Sequence, residues 1–147
     1  MAKKIALTVG IIFIIVGILG FISNPLVGDG ALFHTDHTHD AVHLITGIVI
    51  LIAGMGSAQA ARMTLKVVGV VYLLVAIIGF FSLGEDGTGS VLGLIGINSA
   101  DNWLHVVLGV VLLALGFKGG NGDSSMNMSS PSMPSSSGGG MSGGSAM

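Results

Sequence analysis

The chain has 147 residues, 51% hydrophobic and 8% charged, with a mean hydropathy of +0.91 and a formal charge of -2. A soluble domain devotes about a quarter of its residues to charge, so a soluble globule is excluded and lipid is the expected solvent. Five basic residues are too few for a nucleic-acid surface, and the lack of cysteine excludes disulfides, thiolate-held iron–sulfur clusters and thiol catalysis.

Residues 5–22 form an apolar run interrupted only by Thr8 and glycines. A run of that length nearly spans a hydrocarbon core of about 30 Å as a helix. Lys3 and Lys4 precede it as in a signal peptide, but the run ends Ser23-Asn24-Pro25 with no small-residue cleavage pattern, so it reads as an uncleaved first helix over about 5–23. A polar loop follows, punctuated by Pro25, Gly28 and Gly30 and closing in His34-Thr35-Asp36-His37-Thr38-His39-Asp40. A second helix is expected over about 41–57, then a short turn containing Arg62, and a third helix over about 65–83. The next loop opens with Glu85-Asp86-Gly87-Thr88-Gly89, which reads as a turn. It also contains the apolar stretch VLGLIGI, too short to span and expected to lie at the interface or re-enter. The fourth helix is expected over about 101–117. Residues 119–147 are rich in serine, glycine and methionine and have no hydrophobic period, so a disordered cytoplasmic tail is expected. Its methionines, among them Met126, Met128 and Met133, are soft ligands of the kind that suit Cu(I), but the segment reads as a flexible extension.

The chain repeats itself. At an offset of 59, residues 9–23 and 68–82 share seven of 15 identities, and at an offset of 62, residues 43–54 and 105–116 share five of 12. The matches include His43 with His105, Gly47 with Gly109 and Gly54 with Gly116. The expected fold is therefore all-α: a four-transmembrane-helix bundle over residues 1–118, built from a duplicated two-helix hairpin. Lys3, Lys4, Arg62, Lys66 and Lys118 fall on one side of this topology, and the acidic loops on the other. That distribution predicts a multi-pass protein of the cytoplasmic membrane with both termini inside. Small residues recur seven apart, two helical turns, at Gly10 and Gly17, Gly47 and Gly54, Gly69 and Ala76, and Gly109 and Gly116. Such stripes let backbones approach where lipid supplies no hydrophobic force between helices. The bilayer is the expected partner, with a homo-oligomer as an open alternative.

The run Asn98 to Gly116, NSADNWLHVVLGVVLLALG, and the earlier VHLITGIVILIAG resemble the domain of unknown function 4383 family, bacterial four-helix membrane proteins. The resemblance covers residues 5–117 and is sharpest at Asp101-Asn102-Trp103-Leu104-His105. It implies a multi-pass membrane protein with two recurring histidine positions, here His43 and His105, and no established activity.

The polar candidates fall in two groups. Asp40 and His43, and Asp101, Asn102 and His105, mark the starts of the second and fourth helices. His43 and His105 are expected to face each other across the core, each within helical reach of an acid, Asp40 or Asp101. Ionisable groups in a span are functional candidates, and metal, haem or proton transfer are the conceivable roles against a structural one. The second group is His34, Asp36, His37 and His39 with His43 one turn on, a set whose imidazoles and carboxylates suit Zn²⁺, Ni²⁺ or Cu²⁺. Its spacing fits no strict ligand motif, so no cofactor is expected; a transition metal at this loop is the alternative, and haem is not expected. Trp103 reads as an interface anchor, and Tyr72 as a core residue whose hydroxyl needs a partner. No catalytic set is visible, and a non-enzymatic membrane protein is the expectation.

Overall fold

The computed structural model describes residues 1–118. Four helices run Ala2–Gly20 (α1), His37–Met55 (α2), Ala58–Ser82 (α3) and Ser99–Lys118 (α4). Each is long and apolar enough to cross a membrane. Buried residues recur every three or four positions, as at Ala2, Ala6, Gly10, Phe13 and Gly17 of α1 and His43, Gly47, Ile50 and Gly54 of α2. This period marks one helical face. The other faces are also apolar, with Ile11, Ile15, Ile45, Ile52, Val70 and Val110 about half exposed. A helix that is hydrophobic all round belongs in lipid.

Two antiparallel hairpins, α1–α2 and α3–α4, form the bundle. Glycines lie against the facing helix in both hairpins. A Cβ on Gly10 would lie 2.8 Å from the Leu51 nitrogen and 2.9 Å from the Gly47 carbonyl oxygen, and one on Gly17 would lie 2.7 Å from the Leu44 nitrogen. In the second hairpin a Cβ on Gly69 would lie 2.9 Å from the Gly109 carbonyl oxygen, and one on Gly116 would lie 3.1 Å from that of Arg62. Larger side chains fill the space between hairpins: Phe13, Ile50, Leu65, Tyr72 and Leu112 are all buried there. Lys3, Lys4, Arg62, Lys66 and Lys118 gather at one end, where the Lys66 ammonium lies 4.2 Å from the Phe117 ring centroid. Both long loops lie at the other.

The helix boundaries differ from those read off hydropathy. α2 begins four residues early because Asp36 caps it, its Oδ1 accepting the His39 N–H at 2.8 Å. α3 begins at Ala58, seven residues early, because Ser57 Oγ accepts the Ala60 N–H at 3.0 Å. Gln59, Ala60, Ala61 and Arg62 are good helix formers, though less apolar than the body of α3. Arg62 therefore sits on a helix rather than in a turn. VLGLIGI is part of the loop between α3 and α4 and does not extend either helix. It forms most of an antiparallel hairpin, Thr88–Val91 (β3) with Ile95–Asn98 (β4), whose turn places Leu92 and Gly93 at φ 55° and 71°. The Leu94 N–H closes it on the Val91 carbonyl at 3.1 Å. The acidic stretch before it is a turn, as expected, with Asp86 accepting from the Thr88 N–H and hydroxyl. The first loop makes a short parallel pairing of Val27–Gly28 (β1) with Phe33–His34 (β2). The expected serine-rich tail lies outside the described residues.

A buried histidine cluster at the loop end

The two loops lock the hairpins together at one point. Asp36 reaches from the α2 cap to β4, its Oδ2 accepting the Gly96 N–H at 2.7 Å, and Asn98 donates to the Leu32 carbonyl at 2.9 Å. Partial burial pushes the Asp36 carboxyl up, but the amides of His39 and Gly96 outweigh it and hold it below the usual carboxylate range. Asp36 in turn fixes Gly96 over the start of α2, where the Gly96 carbonyl meets His39 Nδ1 at 2.8 Å.

From that carbonyl a hydrogen-bonded line runs into the core. His39 and His43, one turn apart, bring their Nε2 atoms to 3.1 Å, and His43 Nδ1 lies 3.3 Å from the Tyr72 hydroxyl. Its direction can be deduced. A carbonyl only accepts, so His39 carries its proton on Nδ1 and, when neutral, offers a lone pair at Nε2. His43 must then donate from Nε2 and accept at Nδ1, so the Tyr72 hydroxyl donates. The chain reads Tyr72 to His43 to His39 to the Gly96 carbonyl, and all three side chains are buried.

The second hairpin adds His105. Its ring centroid lies 5.4 Å from that of His39, 6.1 Å from that of His43 and 5.0 Å from that of Tyr72. Its Nδ1 is 3.4 Å from Asp101 Oδ2, and both atoms are buried without a hydrogen-bond partner among the described residues. One ring nitrogen each of His39, His43 and His105 lies within 4.8 Å of the others. A cavity of about 210 Å³ opens beside them between α2 and α3, with His39, Tyr72 and His105 in its lining and Val42, Ile45 and Val71 toward the lipid side.

The candidates of the sequence thus separate. His39 and His43 leave the loop group and join His105 in the core. His34 instead approaches Asp29 at 3.5 Å, and exposed His37 stacks on Phe21 at 5.4 Å. His34, Asp36, His37 and Asp40 line another cavity, of about 300 Å³, at the same end. Asp40 does not pair with His43. It turns to α1, where a Cβ on Gly20 would overlap its carboxylate, and both its oxygens are buried without a hydrogen-bond partner among the described residues. Asn102, 62 positions later, does the same against Gly79 and donates to the Ala76 carbonyl at 3.0 Å. Trp103 is exposed, its ring 5.2 Å from that of Phe80. Tyr72, expected in the core with a partner for its hydroxyl, is buried, has that partner in His43, and meets the Phe13 ring at 5.4 Å. Gly96, acting through its backbone, gave no signal at all. The His43 and His105 ring centroids are 6.1 Å apart, and the His39 ring packs beside both, 4.9 Å and 5.4 Å from them.

These features define a four-helix protein with four candidate membrane spans and a polar cluster buried at one end. Residues 3–118 match the family described as "Domain of unknown function (DUF4383)", and the chain belongs to that family. No curated protein and no solved structure matches it.

Proposed function

We propose that this is a non-enzymatic multi-pass protein of the cytoplasmic membrane, with both termini inside and the two locked loops outside. The reading rests on one observation: five basic residues gather at one end of an otherwise lipid-compatible bundle, and Asp29, Glu85 and Asp86 lie at the other. Lysine and arginine are retained on the cytoplasmic side. The glycine seams hold each hairpin closed, and the sequence offsets of 59 and 62 support descent of the two hairpins from one. The histidine–tyrosine line serves as a rigid polar core beneath the outer cap, binding rather than reacting.

Single cysteines test the orientation. The Asp29 side chain is 97% exposed, and Gln59 is exposed at the α2–α3 turn. In intact cells an impermeant maleimide is expected to label Asp29→Cys at once and Gln59→Cys only after permeabilisation. The reverse order would invert the topology, and labelling of both in intact cells would refute four spans.

A further inference from the structure

The geometry points to a divalent transition-metal site formed by His39, His43 and His105, with Zn²⁺ or Cu²⁺ as the ion. It goes beyond the membrane role proposed above. Three neutral imidazoles with one position left open are a ligand set such ions accept. The Nε2 atoms of His39 and His43 lie 3.1 Å apart. Two nitrogens bound tetrahedrally at 2.0–2.1 Å would be separated by roughly 3.3 Å, so this pair already has the spacing of two ligands on one ion. A nitrogen of His105 is within 4.8 Å of both, close enough for small ring rotations to complete the site.

The surroundings of the rings carry the case further. Metal-bound histidines almost always give their other ring N–H to an oxygen acceptor. Here each Nδ1 faces one: the Gly96 carbonyl at 2.8 Å from His39, the Tyr72 hydroxyl at 3.3 Å from His43, and Asp101 Oδ2 at 3.4 Å from His105. With every Nδ1 turned to an oxygen, the three Nε2 atoms are the ones left for a common ion. In the hydrogen-bonded line, His39 already has its Nε2 free, whereas His43 must change tautomer when metal enters. Its proton passes from Nε2 to Nδ1, and the Tyr72 hydroxyl turns from donor to acceptor. The buried Asp101 Oδ2 and His105 Nδ1 are each without a hydrogen-bond partner among the described residues. Closing that bond would orient His105 and set a carboxylate beside the added positive charge, which a low-dielectric site requires. The cavity of about 210 Å³ beside His39, Tyr72 and His105 leaves room for a fourth ligand.

The loop histidines provide the control, because neither belongs to this cluster: His34 lies beside Asp29, and exposed His37 stacks on Phe21. The test uses the full chain in detergent, purified without a histidine tag, stripped with chelator and titrated with Co²⁺ alone. One Co²⁺ per chain is expected, with the intense visible bands of a four-coordinate ion, displaced by Zn²⁺. His105→Gln should weaken binding at least about 100-fold, and Asp101→Asn, which acts through His105, about 10–100-fold. A His34→Gln, His37→Gln double variant should bind as the parent does. If His105→Gln fails to fold, Asp101→Asn and Tyr72→Phe keep the packing and must still weaken binding and alter the Co²⁺ spectrum. Failure of the parent to bind Co²⁺ saturably would overturn the site, as would binding lost with His34 and His37 or unchanged in Asp101→Asn.

Discussion

Gly47→Ala is expected to destabilise the protein by about 2 kcal/mol, although alanine is the better helix former. Propensity alone would favour the variant by about 1 kcal/mol. Against that, the new Cβ would sit 2.8 Å from the Ile14 nitrogen and 2.9 Å from the Gly10 carbonyl oxygen. Both are backbone atoms, so no rotamer change relieves the overlap and α1 must move off α2. Overpacking costs about 1–3 kcal/mol, and a clash with backbone belongs at the top of that range or above it. The aligned Gly109→Ala should cost less, because the nearest atom to its Cβ is Leu73 Cγ, on a flexible side chain, at 2.7 Å. Unfolding free energies in mixed micelles would rank the two. A neutral Gly47→Ala would mean that the seam is not close-packed.

Asp36→Ala is expected to cost about 3 kcal/mol, the largest single loss at the loop end. It removes the α2 cap, for about 0.5–2 kcal/mol. It also leaves the buried Gly96 amide without its acceptor, for about 1–3 kcal/mol. Asp36→Asn retains an accepting oxygen for one of the two amides and should lose about half as much. The pH dependence has a definite sign. The folded carboxyl titrates below its ordinary value, so its contribution is complete above about pH 4, the unfolded pKa, and is lost as pH falls through the lower folded value. Unfolding midpoints should therefore converge for parent and Asp36→Asn in strong acid and separate above pH 4. Parallel pH profiles would show that Asp36 does not bridge α2 and β4.

The four candidate spans were legible because a helix long and apolar enough to cross lipid stands out by length and composition alone, whatever its neighbours. The glycine spacing was legible for a related reason: a two-turn repeat of small residues is a local pattern. The helix starts were not, because Asp36 and Ser57 set them by single hydrogen bonds that hydropathy does not register. The one-turn spacing of His39 and His43 was legible in the loop group; starting α2 at His37 puts both on the inner face, and His39 rather than Asp40 becomes the partner of His43. Both spacings are compatible with a helix; the room that Gly20 leaves for Asp40 decides between them, and that is a tertiary fact. The partner of Tyr72 lies 29 residues away and that of His39 57 residues away. The latter is a backbone carbonyl, held by a hairpin turn of Leu92-Gly93 that lacks the usual Asn-Gly signal.

The hydrogen-bonded line from Tyr72 to Gly96 joins the two halves of the chain, and nitrogen-15 NMR of metal-free protein labelled at histidine tests it most directly. Signals are assigned by single His→Gln variants. His39 should be protonated at Nδ1 and bare at Nε2, and His43 the reverse, with a scalar coupling between the two Nε2 nuclei across their shared proton. Tyr72→Phe should disturb only the His43 Nδ1 signal. Both residues protonated at Nε2, with no coupling between them, would contradict this arrangement of the core.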